Sequence, residues 1–424
     1  MSTTILTLFA LPWLFFAFLY PLMQGLYRVR KTHFDRRSNF TSLQFQADTA
    51  VAAAATPPSI ACVITAYKEG HVALPLIESL RRQRYGEQNF HIYLVADRCV
   101  SADLPASDAR LTVIEPEEPL DSKLKSLHAA SQAFRSEHHA VLVLDPDNLA
   151  HPQALEALAE AFSAGFEAVQ GNRVAKNMDT KIAALDALGE LYYTYHQRFL
   201  PYKLGSSATI AGSGMLIERH FFQNYLDRLL STEGVVLAED KLLQMQLVES
   251  GRRIAFQERA LIFDEKSTSG AQVQRQRTRW LKSYFDHVGD VIRLGCACWR
   301  KGDRGGAFFA LMIATPPFVF LVGGLALWTL VSLLGVPTLL PLFGLAWLAF
   351  LGGWVIALRG LHAPPILWEA LPWIPIFAGR QVLSLLGFKQ AKTDFMATSH
   401  DRVWSIAEVW KKRKADFNHL NLDA

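Results

Sequence analysis

Apolar positions fall into three patterns along the chain. Near the N-terminus an unbroken stretch from Ile5 to Tyr27 is long enough to cross about 30 Å of hydrocarbon as a helix. Between residues 59 and 162 the pattern changes: apolar runs of strand length (59–65, 91–96 and 140–144) alternate with segments of helical period (72–82, 123–134 and 152–162). Beyond residue 300 two long apolar stretches return, 307–334 and 338–358, joined by the uncharged Gly335-Val336-Pro337 turn. The middle pattern predicts an α/β domain with a mostly parallel sheet covered on both faces, and the outer patterns predict membrane helices around it.

Charge orients that frame. No Lys or Arg precedes the first span, whereas Arg28, Arg30, Lys31, Arg36 and Arg37 follow it, which places the following domain in the cytoplasm. Lys301 and Arg304 before the later pair and Arg359 after it make that pair an outward-and-back hairpin. Segment 366–388 is apolar but holds Glu369, Pro372, Pro375, Gly379 and Arg380. A crossing there would carry the basic tail outside, so it reads as interfacial or re-entrant, with a fourth crossing as the alternative. The expected organisation is an anchor (1–30), a basic segment and linker (31–58), a cytoplasmic domain (59–300), a membrane hairpin (301–360), the interfacial segment (361–390) and a basic tail (391–424). A formal net charge of +4, with no basic stripe, argues against a nucleic-acid partner. Four cysteines without a CxxC pair predict free thiols in a reducing compartment and no structural zinc.

The chemistry concentrates at strand ends. The strand Ala140–Leu144 runs straight into Asp145-Pro146-Asp147, Ser59–Thr65 leads to Glu69, and His91–Ala96 leads to Asp97. Ligands of parallel sheets bind at the carboxyl ends of the strands, so these acids point to one shared cleft. No GxGxxG or P-loop pattern is present, so a phosphorylated ligand there needs another source of positive charge. Two hard carboxylates one residue apart suit Mg2+ or Mn2+, with diphosphate oxygens completing the shell. An isolated DxD is as readily a helix cap beside a solvated acid. Further along, Gly212-Ser213-Gly214 offers backbone that a ligand can approach closely. Glu239-Asp240 opens a helix, and Gln276, Arg279 and Trp280 share one helical face at i, i+3 and i+4. An amide, a guanidinium and an indole together suit sugar and phosphate.

In this order the motifs resemble those of membrane-embedded family 2 glycosyltransferases, the group that includes cellulose, chitin and hyaluronan synthases. AYKE (Ala66, Tyr67, Lys68, Glu69) is similar to the nucleotide-binding AYNE turn, with Lys68 in place of Asn. VADRC places Asp97 at the position that recognises the base region, and SKLKSL places Lys123, or its neighbour Lys125, at the GKxxAL lysine. DPDN resembles the DxD, AEDK the ED motif, and QRTRW is a complete QxxRW. Phe395, Thr398 and His400 resemble the FxVTxK gating loop, with His in place of Lys.

The resemblance implies a GT-A domain that transfers a sugar with inversion from a nucleoside diphosphate donor, with a UDP-sugar expected. Asp240 would be the general base. Ala66, Tyr67, Glu69, Asp97, Lys123, Asp145 and Arg279 would hold the donor, with Mg2+ or Mn2+ on Asp145 and Asp147. Gly212, Ser213, Gly214, Glu239, Gln276 and Trp280 would meet the acceptor, a growing polysaccharide in an integral membrane enzyme, with an oligomer or export partner completing a channel. Transfer of one sugar to a lipid is the rival reading, and a non-catalytic membrane scaffold with the same fold is a third. Segment 185–204, with five Tyr and Phe residues, is either a surface-lying amphipathic helix or a core helix.

Overall fold

The computed structural model describes residues 9–30, 56–231, 238–376, 379 and 403–422. They form two compact units, one drawn from within 41–179, 207–267 and 392–424, the other from within 1–40, 180–206 and 268–391. The expected gating-loop residues Phe395, Thr398 and His400 lie outside the described residues, as do 31–55 and most of 377–402.

The first unit is built on an eight-stranded mixed sheet. Its strands are β1 (Ile60–Tyr67), β2 (Phe90–Asp97), β3 (Leu111–Ile114), β4 (Ala140–Leu144), β5 (Leu149–Ala150), β6 (Ala168–Ala175), β7 (Met215–Glu218) and β8 (Ile254–Asp264), in the order β3-β2-β1-β4-β7-β6-β8-β5. Four of the seven pairings are parallel; β4–β7, β6–β7 and β5–β8 are antiparallel. The α/β class with helices Leu74–Arg81, Lys123–Gln132 and Ala154–Ser163 agrees with the sequence pattern. The antiparallel β5 and β7 are departures, strands of two and four residues too short to announce themselves in the sequence.

Strand β4 explains why the acids stand where they do. Its five residues are all buried, since β1 and β7 flank it and helices cover its faces. Burying its two Val and two Leu side chains is worth at most about 6–12 kcal/mol, so sliding a carboxylate into the strand is prohibitive and Asp145 is held at its end. The chain runs β1, β2, β3 outward on one side and returns with β4 on the other side of β1. The carboxyl ends of β1 and β4 therefore flank a topological switch point, where such sheets place their ligands. Pairing of Tyr67 with Asp97 and of Ile64 with Leu144 brings the three acid-bearing ends to one rim.

The second unit is helical. Three of its helices, Phe9–Arg30, Phe318–Gly335 and Pro337–Gly360, are long and apolar enough to cross a membrane. The expected span 307–334 is interrupted at Pro316-Pro317, giving a short helix Arg304–Ile313 before Phe318–Gly335, because tandem prolines remove two backbone donors and disfavour helix before them. Leu327, Leu330, Leu333, Leu334, Leu345, Leu348 and Leu351 are exposed on the last two long helices, an apolar surface that suits lipid better than water. Segment 185–204 is a core element here: Lys181–Tyr193 continues through a π-helical turn, Thr194–Phe199, and Tyr192 stacks on Trp354 at 4.1 Å between ring centroids. In 366–388 only the beginning is described, the helix Pro365–Ala370 and a turn at Leu371–Trp373.

Candidate active site

The rim at β1 and β2 is fastened by acids whose side chains bind backbone. Asp97 is buried, and its two carboxylate oxygens accept the amides of Leu120 (3.0 Å) and Asp121 (2.8 Å). Asp121 in turn receives a bidentate pair from Arg98, both bonds 2.7 Å, and the Tyr67 hydroxyl at 2.9 Å. The amide of Lys68 donates to the Asp97 carbonyl, and Lys68 itself takes φ 64°, a left-handed conformation that Asn tolerates best among residues with side chains. Lys68 therefore occupies this turn less comfortably than Asn would.

At the end of β4 the two aspartates diverge in environment. Lys123, the first residue of its helix, places Nζ 2.6 Å from Asp145 Oδ1 and 3.0 Å from the Gly212 carbonyl. Lys123 rather than Lys125 is therefore the lysine of this cleft. Burial pushes the Asp145 carboxyl upward, but the Lys123 ammonium, with Arg173 further off, more than offsets it and holds the pKa below the ordinary value. Burial likewise opposes the charge on Lys123, and Asp145, Glu239 and Asp240 together raise its pKa above the usual lysine value. Asp147 is buried; its Oδ2 accepts the Glu265 amide at 2.9 Å, and its carbonyl accepts Lys176 Nζ at 3.2 Å.

The Gly212-Ser213-Gly214 turn connects this pair to Asp240. Gly212 and Gly214 have φ of +76° and +63°, which only glycine adopts without strain. Gln170 holds the turn, accepting the Ala211 amide at 2.9 Å and donating to the Ser213 carbonyl at 3.0 Å. Gln244, one turn along the helix Glu239–Glu249, accepts the Ile210 amide at 2.9 Å, so that helix is registered against the turn. A Cβ on Gly212 would stand 3.1 Å from Asp240 Oδ2. Asp145, Lys123, Gly212 and Asp240 therefore form one contiguous constellation. Glu239 beside them is raised above the ordinary glutamate value, first by burial and then by Asp240, with Lys123 acting against the shift.

Several residues here went unremarked in the sequence. Arg173 donates to the Ala211 carbonyl at 2.5 Å and pairs with Asp264, which also binds Lys266 at 3.0 Å. The signal was available: ALIFDEK at the end of β8 repeats the apolar-run-then-acid pattern of β4. Gln276, Arg279 and Trp280 lie in the helical unit on the long helix Gly270–Arg300, where Gln276 is half-buried and Arg279 and Trp280 are exposed. Their neighbour Arg277 is buried, pairs with Asp186 at 2.9 Å and sits 4.6 Å over the Trp280 ring.

Asp145 and Asp147 are hard carboxylate donors, with Asp145 Oδ1 engaged by Lys123 and Asp147 Oδ2 by the Glu265 amide. Among the described residues no group of three or more His, Cys, Asp or Glu is gathered as a metal cage. Magnesium-type sites completed by substrate phosphates need only one or two protein carboxylates, so the pair fits such an ion as a partial shell.

Solved structures similar to this chain include the following two. The mannosyltransferase PcManGT from Pyrobaculum calidifontis, in complex with GDP-Man and Mn2+, is 15% identical with a TM-score of 0.48, over 83% of this chain and 97% of that one. TarS 1-349 from S. aureus is 14% identical with a TM-score of 0.40, over 79% of this chain and 92% of that one. None of the curated proteins compared matches the chain. The family model described as "Glycosyltransferase like family 2" matches residues 57–283, from the start of β1 to just past QRTRW. The chain is a member of the family 2 glycosyltransferases.

Proposed function

We propose that the chain is an inverting membrane glycosyltransferase that moves a sugar from a nucleoside diphosphate donor, UDP-linked in the first instance, to a hydroxyl of a growing polysaccharide. The observation that carries this reading is the constellation at the switch point, where Lys123 bridges Asp145 and the Gly212 carbonyl while Gly212 abuts Asp240.

Asp240 removes the acceptor proton as the acceptor oxygen bonds to the anomeric carbon and the bond from that carbon to the diphosphate oxygen breaks on the opposite face. Lys123 supplies fixed positive charge where the leaving diphosphate gains negative charge, and Arg279 is assigned the same task by its motif. Asp145 and Asp147 would hold Mg2+ or Mn2+, which when bound neutralises charge on the diphosphate. The Lys68-Glu69 turn and the Asp97-fastened loop line the donor end, and the Gly212-Ser213-Gly214 turn with Glu239 the acceptor end. Gln276 and Trp280 are assigned to acceptor positioning by the motif, with Trp280 stacking on the sugar ring.

A second reading, transfer of one sugar to a lipid acceptor, draws on a narrow apolar crevice within the helical unit, whose enclosed space of about 20 Å³ would have to widen to admit an alkyl chain. Leu185, Leu188, Tyr192, Phe318 and Trp354 line it, an apolar wall suited to an alkyl chain. A screen of UDP and GDP sugars with the purified protein in lipid, with and without Mn2+, tests the reaction. Release of nucleoside diphosphate from one donor, with labelled sugar in a membrane-bound product, is expected; no turnover of any donor rejects it. Product length separates the acceptors, since a single discrete glycolipid excludes processive extension.

A further inference from the structure

The sequence marks 391–424 as a basic tail, yet residues 405–422 are part of the sheet unit. Ser405 and Glu408 form a reciprocal capping box at the start of the helix Ile406–Arg413, and a 3-10 turn, Lys414–Leu420, follows. Ile406, Val409, Trp410, Phe417 and Leu422 close a buried apolar cluster with Leu149 of β5 and Leu261 and Phe263 of β8. The ring of His151, just past β5, lies 4.3 Å from that of Trp410.

The place of docking matters. Strand β5 is a two-residue edge strand that starts two positions after Asp147, and so short a ladder holds little by itself. Its partner β8 ends at Asp264, and the next amide, Glu265, is the one that binds Asp147 Oδ2. The third strand of this corner, β6, ends at Ala175, whose carbonyl accepts Arg413 of the tail. The following residue, Lys176, donates its amide to the Asp264 carbonyl at 2.7 Å and its ammonium to the Asp147 carbonyl, and pairs with Glu265 at 3.4 Å. Three backbone elements that fix Asp147, the ends of β6 and β8 and the start of β5, are therefore covered or tied by the tail.

We propose that residues 405–422 act as a clamp that positions Asp147, and that Val409, Trp410 and Arg413 are positioning residues for the divalent cation bound with the donor diphosphate. The inference rests on the proposed role of Asp147 in holding that cation. Groups behind a metal ligand typically change metal affinity by about 10- to 100-fold when lost. The clamp acts on binding; the proton transfer at Asp240 does not depend on it.

The test measures Mn2+ affinity in the presence of UDP on the full chain, together with kcat at saturating metal and donor. Val409→Asp, which expels the tail, should weaken Mn2+ binding about 10-fold or more while kcat at saturation stays within about threefold. Arg413→Ala, which removes the tie to Ala175 together with the pairing to Asp416 and the contact over the Phe417 ring but leaves the apolar cluster in place, should give a smaller weakening in the same direction. A synthetic peptide of residues 404–422 added to the Val409→Asp protein should restore affinity. Should Val409→Asp lower the melting temperature yet leave Mn2+ affinity unchanged while Asp147→Asn abolishes it, the clamp is refuted and the metal role stands. If Asp147→Asn itself leaves Mn2+ affinity unchanged, the reading beneath the clamp is refuted.

Discussion

Gly212→Ala isolates the link between the glycine turn and the base. The substitution has two effects of separable size. A Cβ at φ +76° costs about 1–2 kcal/mol in the folded backbone. The same Cβ stands 3.1 Å from Asp240 Oδ2 and 3.7 Å from its Cγ, so the carboxylate must retreat by a few tenths of an ångström. Since a displacement of about 1 Å at a reacting group costs about 100-fold in rate, a shift of this size predicts about a three- to tenfold loss in kcat. Gly165→Ala supplies the control. Gly165 has φ +94° with nothing within 4 Å of the added Cβ, so it carries the backbone cost without touching the site. Both variants should melt lower by similar amounts, and only Gly212→Ala should lose kcat, in a coupled assay of nucleotide release at saturating donor. Equal kcat in the two variants, or a loss confined to donor KM, would refute the placement of Gly212 against a working base.

Two further substitutions probe the charges. Lys123→Met leaves Asp145, Glu239 and Asp240 without their shared cation; because the pair is partly exposed, about 1–3 kcal/mol of stability should be lost at neutral pH, with donor affinity falling alongside. The Asp145 pKa is lowered by folding, so the stability this pair contributes is present above the ordinary carboxylate pKa and disappears as pH falls through the lowered one; chemical denaturation across acid pH should show the parent and Lys123→Met converging. Glu239 has the opposite sign. Its raised pKa favours the folded state below the ordinary glutamate value and penalises it as pH rises through the raised one, so Glu239→Gln should gain melting temperature over the parent at about pH 7 and lose that gain near about pH 4.

What the sequence disclosed, and what it hid, follows from the physics of each element. Strands buried on both faces must be apolar throughout, so β4 and the acids at its end stood out, and the order of the motifs placed them on one rim. Side-chain direction was hidden. A carboxylate that ends a strand reads the same whether it faces a ligand or, like Asp97, closes on the amides of Leu120 and Asp121. The tail was misleading for another reason. Lys411, Lys412, Arg413 and Lys414 dominate its composition, while Ile406, Val409 and Trp410, spaced i, i+3 and i+4, carry the helical face that is buried. Segment 185–204 was ambiguous because its aromatic residues suit a bilayer surface as well as the packing against Trp354 that the structure has.

The central claim is that Asp240 takes the acceptor proton in a cleft that binds the donor independently of it. Asp240→Asn keeps the shape and removes the basicity, so transfer should fall by about 10²- to 10⁴-fold while UDP binding, followed by calorimetry on the same preparation, stays within about threefold. An Asn variant that transfers sugar at the parental rate would contradict the claim.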